Sequence, residues 1–167
     1  MSIDHPVIAL YVAALLGAAT PVHAEQPLMV HTPQLSLDTA QRIADTAIKT
    51  CRSKGVSIAV TVLDRGGNPQ VVLRDTLAAR LTLQISREKA YAALSFNTPT
   101  SALGARADTP LGRVPGLLMS AGAVPMHAGG QLLGAVGVSG APSGTTDEAC
   151  AKAGVAAVQD DLDMAGG

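Results

Sequence analysis

A chain of 167 residues with 47% hydrophobic, 15% charged and 2% aromatic side chains has the size of one domain. Its core must be close-packed from Ala, Val, Leu and Ile rather than anchored on rings. The formal net charge of −1 supplies no basic footprint, which sets nucleic-acid binding aside.

Val7 to Ala19 is an unbroken apolar run, followed by Thr20-Pro21 and then Val22-His23-Ala24 before Glu25. Small residues at positions −3 and −1 of a cut after Ala24 fit the rule for a secretory signal peptide. The run is shorter than the about 20 apolar residues that span a bilayer. The leading Met1–His5 segment has no Lys or Arg, so its positive charge rests on the terminal amine and His5. The competing reading, a buried N-terminal helix, would end in Thr20-Pro21 and carry no polar face. Residues 1–24 are therefore expected to be a cleaved signal peptide, making the mature protein periplasmic or secreted, with no stable membrane anchor after cleavage. Cleavage removes Asp4 from the 13 acidic side chains and none of the 12 basic ones, leaving a balanced chain. It also leaves Cys51 and Cys150. In an oxidising compartment an even pair invites a disulfide. Two buried thiols acting as small hydrophobes are the alternative.

Residues 25–34 read as a flexible, proline-marked lead-in, 35–162 as the folded domain and 163–167 as a tail. Ser36 is a good N-cap for a helix over about Leu37–Ser53, with apolar residues at helical spacing and Gly55 as its stop. Ser57–Leu63 and Gln70–Arg74 flank the turn Asp64-Arg65-Gly66-Gly67-Asn68-Pro69 and predict a hairpin. A salt bridge between Asp64 and Arg65 is the expected role of that turn's charges. A second helix is predicted over about Ala79–Leu94, ended by Asn97 and Pro99. Ser101–Pro115 reads as irregular with one short helical turn. Gly116–Met119 and Ala123–His127 read as extended, and Gly129-Gly130 turns the chain into a glycine-bearing strand, Gln131–Ser139. Thr145 with Glu148 fits a capping box opening an Ala-rich helix to about Asp161. The order helix, two strands, helix, strands, helix predicts an α+β fold, a mostly antiparallel sheet with helices packed on it. If both terminal helices share one face, Cys51 and Cys150 can meet there.

From Leu35 to Ala157 the chain resembles the HbpS/GlcG family, which includes the C-terminal domain of PduO proteins. The matching features are Val62-Leu63-Asp64-Arg65-Gly66-Gly67, Arg74-Asp75, Lys89-Ala90-Tyr91-Ala92-Ala93, Phe96, Thr98-Pro99-Thr100, Gly134 to Gly140, and Asp147-Glu148. The resemblance implies a profilin-like sheet-and-helix fold, a homo-oligomer, and heme as cofactor, with heme degradation or redox sensing in some members. One departure stands out. Where the family commonly has Gly-Gly-Xaa-Pro, this chain has Ala121-Gly122-Ala123-Val124-Pro125, which puts a tight backbone approach there in question.

Heme needs an axial donor from His, Met, Cys or Tyr. His127 and its neighbour Met126, at the end of an extended segment, and His31 in the lead-in are the candidates, with each histidine weighed against an ordinary exposed side chain. Tyr91 and Met119 rank behind them as packing residues. Arg74, Arg80, Arg87 and Arg106 are the cations available to heme propionates. Gly134, Gly137 and Gly140 fall within a strand and not at a strand-to-helix turn, so a dinucleotide loop is set aside. Val138-Ser139-Gly140 lacks the G-x-S-x-G elbow, and the Cys and His residues lack zinc-site spacing. No catalytic residue is identified, and no metal site beyond the possible heme iron. Two functions remain: a heme-binding module of the HbpS type, or a non-heme periplasmic accessory or sensor domain that binds a small metabolite or a protein partner.

Overall fold

The computed structural model describes residues 27–165, so the expected signal peptide lies outside the described residues. Residues 27–31 lie outside the main compact unit, which begins at Thr32, and Leu28 to His31 are exposed.

Helix α1 spans Leu37–Arg52, with the Ser36 hydroxyl accepting from the amide of Thr39. Asp38 in its first turn and Lys49 and Arg52 in its last complement the helix dipole. Its buried face carries Ala40, Ile43, Ala44, Ala47, Ile48 and Cys51. Strands β1 (Ala59–Asp64) and β2 (Pro69–Arg74) form the first hairpin. Its turn departs from expectation: the Asp64 carboxylate accepts from the Asn68 amide at 2.8 Å and from its side chain, and Arg65 points to solvent. The turn's own backbone donor is nearer than the flexible arginine, so no Asp64–Arg65 bridge forms.

Helix α2 (Leu81–Phe96) ends at Asn97, whose φ of 48° forms a left-handed cap. Two 3-10 turns (Thr100–Leu103 and Pro110–Arg113) flank the short α3 (Gly104–Ala107). Gly116–Met119, expected to be extended, forms no strand. Strands β3 (Ala123–Ala128) and β4 (Gln131–Ser139) form the second hairpin around Gly129 and Gly130, with φ of 52° and 77°. The sheet order is β2-β1-β4-β3, antiparallel throughout.

Helix α4 (Gly144–Ala156) is capped by Ser143, whose hydroxyl accepts from Thr146, and not by the expected Thr145–Glu148 box. Glu148 is drawn away by Ser101, whose amide and hydroxyl donate to its carboxylate at 3.0 and 2.8 Å. The chain breaks after Ala156 and resumes as α5 (Gln159–Ala165), because Val158 turns into the core between them.

The sheet has two differently built faces. Helices α1 and α4 cover one, over Ile58, Val60, Val62, Val124, Met126, Val136 and Val138. Here Cys51 and Cys150 are joined in a disulfide with Cα atoms 5.7 Å apart. Helix α2 covers the other face, on small residues. A Cβ on Gly137 would lie 2.1 Å from the Ser86 carbonyl oxygen and 2.7 Å from the Ala90 nitrogen, so α2 rests backbone to backbone on β4. That seat places α2 over β4 and β1, and it meets the edge strand β2 only marginally.

Candidate functional site

Because α2 is seated over the middle of the sheet, its outer flank and the uncovered part of β2 bound a cleft of about 910 Å³. Thr61 on β1 with Pro69 and Val72 on β2 make its floor. Thr61 and Val72 are register partners and so project from the same face. Leu83, Gln84, Arg87, Glu88 and Tyr91 make the wall, spaced as one stripe of a helix. Gly67 and the Pro115-Gly116 loop close the ends. The size suits a small-molecule site, and the walls mix apolar surface with few polar groups.

The polar groups are unequally engaged. Gln84 donates to the Glu88 carboxylate at 2.8 Å, and the Thr61 hydroxyl is buried against that of Ser86, also at 2.8 Å. The Arg87 guanidinium and the Tyr91 hydroxyl have no hydrogen-bond partner among the described residues. Tyr91 is 42% exposed, and its ring lies against the turn. Gly67 has φ of +85°, and a Cβ there would stand 3.1 Å from the ring's Cε2.

The other expected site residues lie elsewhere. His127 is half-buried at the far edge strand, its Nε2 2.7 Å from Oδ1 of Asn97 and its carbonyl accepting from Gln159. Met126 is wholly buried in the core under α1 and α4, on the opposite face of the sheet from the cleft. His31 is exposed, outside the main compact unit. Met119 packs with Ala92 and Leu103. Of the four candidate arginines, Arg74 donates to the carbonyls of Asp75, Thr76 and Ala78, and Arg106 stacks on Phe96 at 5.3 Å. Arg80 is exposed at the start of α2, which leaves Arg87 at the cleft. The i, i+4 spacing of Arg87 and Tyr91 is visible in the sequence and marks a shared helix face. What the sequence hides is that this face borders an open sheet edge.

A second polar cluster is closed to solvent. Lys89 on α2 and Asp147 on α4 pair at 3.0 Å, with side chains 6% and 3% exposed. The Ala141 amide donates to the other Asp147 oxygen at 2.9 Å. Burial pushes the Asp147 carboxyl above the usual aspartate value, opposed by the Ala141 amide and by Lys89. In the neighbouring Glu148, burial also pushes upward, but Lys152 and Ser101 outweigh it and hold the carboxyl below its ordinary value. Gly122, with φ of +139°, would bring a Cβ within 2.6 Å of the Lys89 Nζ. The tight approach in this loop is thus carried by Gly122, which is retained, and Ala123 is simply a buried strand residue. This cluster joins elements and offers no opening to a ligand. Among the described residues no group of three or more His, Cys, Asp or Glu is placed to hold a metal ion.

The family model described as "Haem degrading protein HbpS-like" matches residues 35–156. Among solved structures, a double mutant of HbpS from Streptomyces reticuli is 37% identical, with a TM-score of 0.76 over 85% of this chain and 99% of its own. The Klebsiella pneumoniae protein ORFY is 24% identical, with a TM-score of 0.74 over 80% of this chain and 96% of its own. A complex of PduOC with heme is 22% identical, with a TM-score of 0.70 over 75% of this chain and 95% of its own. The last two likenesses are likenesses of fold. No curated protein matches the sequence.

Proposed function

The chain belongs to the HbpS-like family, and we propose that it binds heme in the cleft between α2 and the β2 edge. The observation that carries this reading is the juxtaposition, in one cleft of about 910 Å³, of an apolar floor with an unpaired arginine and an unpaired phenol. These residues fit the group. Val72, Pro69, Leu83 and Pro115 would flank the porphyrin, and Arg87 would meet a propionate. Bound heme supplies an iron centre for redox chemistry; the protein's part is to hold it, orient it and limit the approach of water.

Hemin titration of the purified protein tests the reading. A saturable Soret band at one hemin per chain is expected, with affinity lowered by Arg87→Glu. Absence of saturation, with another small molecule co-purifying, would replace it with the non-heme accessory or sensor reading. Degradation of the bound heme rests on the family description alone. Peroxide-dependent bleaching of the Soret band with release of iron distinguishes turnover from binding.

The same proposal places the protein in the periplasm or outside the cell. The signal-like pattern of residues 1–24 and the Cys51–Cys150 disulfide support it. N-terminal sequencing of the exported protein is expected to begin at Glu25, and a start at Met1 would end that part of the reading. A homo-oligomer belongs to it as well, supported by exposed Leu77, Leu81, Leu111 and Val114. Light scattering checks it, and a monomeric mass would remove it.

A further inference from the structure

We propose that the protein donor to the heme iron is the phenol oxygen of Tyr91, held by Gly67 on the wall of the cleft that Arg87 shares. The assignment rests on the heme reading above.

Met164, exposed on α5, does not line the cleft, and the other iron-donor side chains described in the main unit are committed elsewhere. Cys51 and Cys150 are bonded to each other in the core. Met126 and Met119 are buried away from the cleft. His127 is engaged by Asn97 at the far edge. Among the described residues lining the cleft, Tyr91 alone carries a side chain of the types that ligate heme iron.

Its placement is built by the turn as well as by the helix. With no side chain at position 67, the ring can lie against the turn backbone, and the positive φ of Gly67 is one that other residues rarely adopt. The ring's position is set by this contact, and its hydroxyl remains without a protein partner. A phenol binds ferric iron as the phenolate, its proton leaving to solvent as the iron–oxygen bond forms. Arg87 sits one helical turn before Tyr91, on the same wall of the cleft, with no salt-bridge partner among the described residues.

The test is spectroscopic and uses the full mature protein loaded with ferric hemin. Resonance Raman of the wild-type complex is expected to show iron-bound phenolate modes, a readout that needs no variant. Tyr91→Phe keeps the ring against Gly67 and removes only the oxygen. It is expected to abolish those modes and to weaken hemin binding. Tyr91→His is expected to restore tight binding with a nitrogen-ligated spectrum, whereas His127→Ala and His31→Ala leave the wild-type spectrum in place. Hemin binding without phenolate modes, or a Tyr91→Phe complex identical to wild type, overturns this assignment and leaves the heme reading standing. Failure of the wild type to bind hemin at all overturns the heme reading itself, and the assignment with it.

Discussion

The Nζ of Lys89 on α2 lies 3.0 Å from Oδ2 of Asp147 in the first turn of α4, and both side chains are closed to solvent. The pair joins the helices that cover opposite faces of the sheet, and the carbonyl of Val138, at the end of β4, lies 3.4 Å from the same ammonium. An ion pair in such surroundings offsets its own desolvation only while both partners are present. Lys89→Met or Asp147→Ala is therefore expected to lose about 3–5 kcal/mol in urea denaturation. The double variant Lys89→Met/Asp147→Leu, which removes both charges, should lose clearly less than the two single losses added together. Strict additivity would mean that the two groups act independently.

The disulfide between Cys51 and Cys150 joins α1 to α4 across 99 residues of sequence. Replacing both cysteines by alanine is expected to lower stability by about 2–5 kcal/mol, mainly because the unfolded chain regains freedom. Mass spectrometry of the non-reduced protein should show both thiols blocked to alkylation. Alkylation of both in unreduced, denatured protein would disprove the bridge.

Arg52 grips the Asp75 carboxylate with two hydrogen bonds, of 2.7 and 2.9 Å, and holds it below the usual aspartate range. A carboxyl whose folded value is depressed stabilises the fold above its unfolded value, about 3.9. That stabilisation is lost as pH falls through the lower folded value. The thermal midpoint should therefore drop on acidification below about pH 4, and Asp75→Asn should reduce the drop. An Asp75→Asn profile parallel to wild type would show that other carboxyls govern the acid limb. The arginine is exposed, so added salt should also weaken the effect.

Gly137→Ala inserts a methyl where the Ser86 carbonyl oxygen would be 2.1 Å away. Neither backbone can yield without lifting α2 from β4. The expected loss is about 3 kcal/mol or more, at the upper end of overpacking penalties. Lifting α2 also alters the cleft wall, so hemin affinity should fall together with stability. By contrast, Gly55→Asn at the end of α1 should be mild, since a Cβ there meets no atom within 4 Å and Asn tolerates a positive φ.

Local signals were legible wherever one residue's chemistry sufficed. Ser36 as the N-cap of α1, Asn97 as the end of α2, and Gly129-Gly130 as the last hairpin all stand in the structure as read. Gln131–Ser139 forms a strand over those same residues. The failures occur where a local preference met a distant partner. Glu148 has the spacing of a capping box, yet Ser101, 47 residues away, holds its carboxylate. Asp64 is the exception, since it turns to Asn68 within its own turn and not to Arg65. Lys89 stands in the sequence only among the features shared with the family, and its pairing with Asp147, 58 residues away, appears only in the fold.

By itself the sequence determined the α+β class, the two hairpins and the bounds of α1 and α2 to within two residues, because periodicity, caps and turns act over a few residues; its motifs carried the likeness to the HbpS/GlcG family. Which residues face the cleft was decided only in three dimensions. His127 and Met126 are neighbours in sequence, but strand alternation sends one to the margin of the α2 face and the other into the core. Arg87 and Tyr91 share a helix face by their spacing, but that face borders a cleft only because Gly137 in β4 lets α2 settle over the middle of the sheet, leaving β2 largely uncovered. The meeting of Cys51 with Cys150 was likewise decided there, by α1 and α4 packing side by side on one face, a contact that no local spacing encodes.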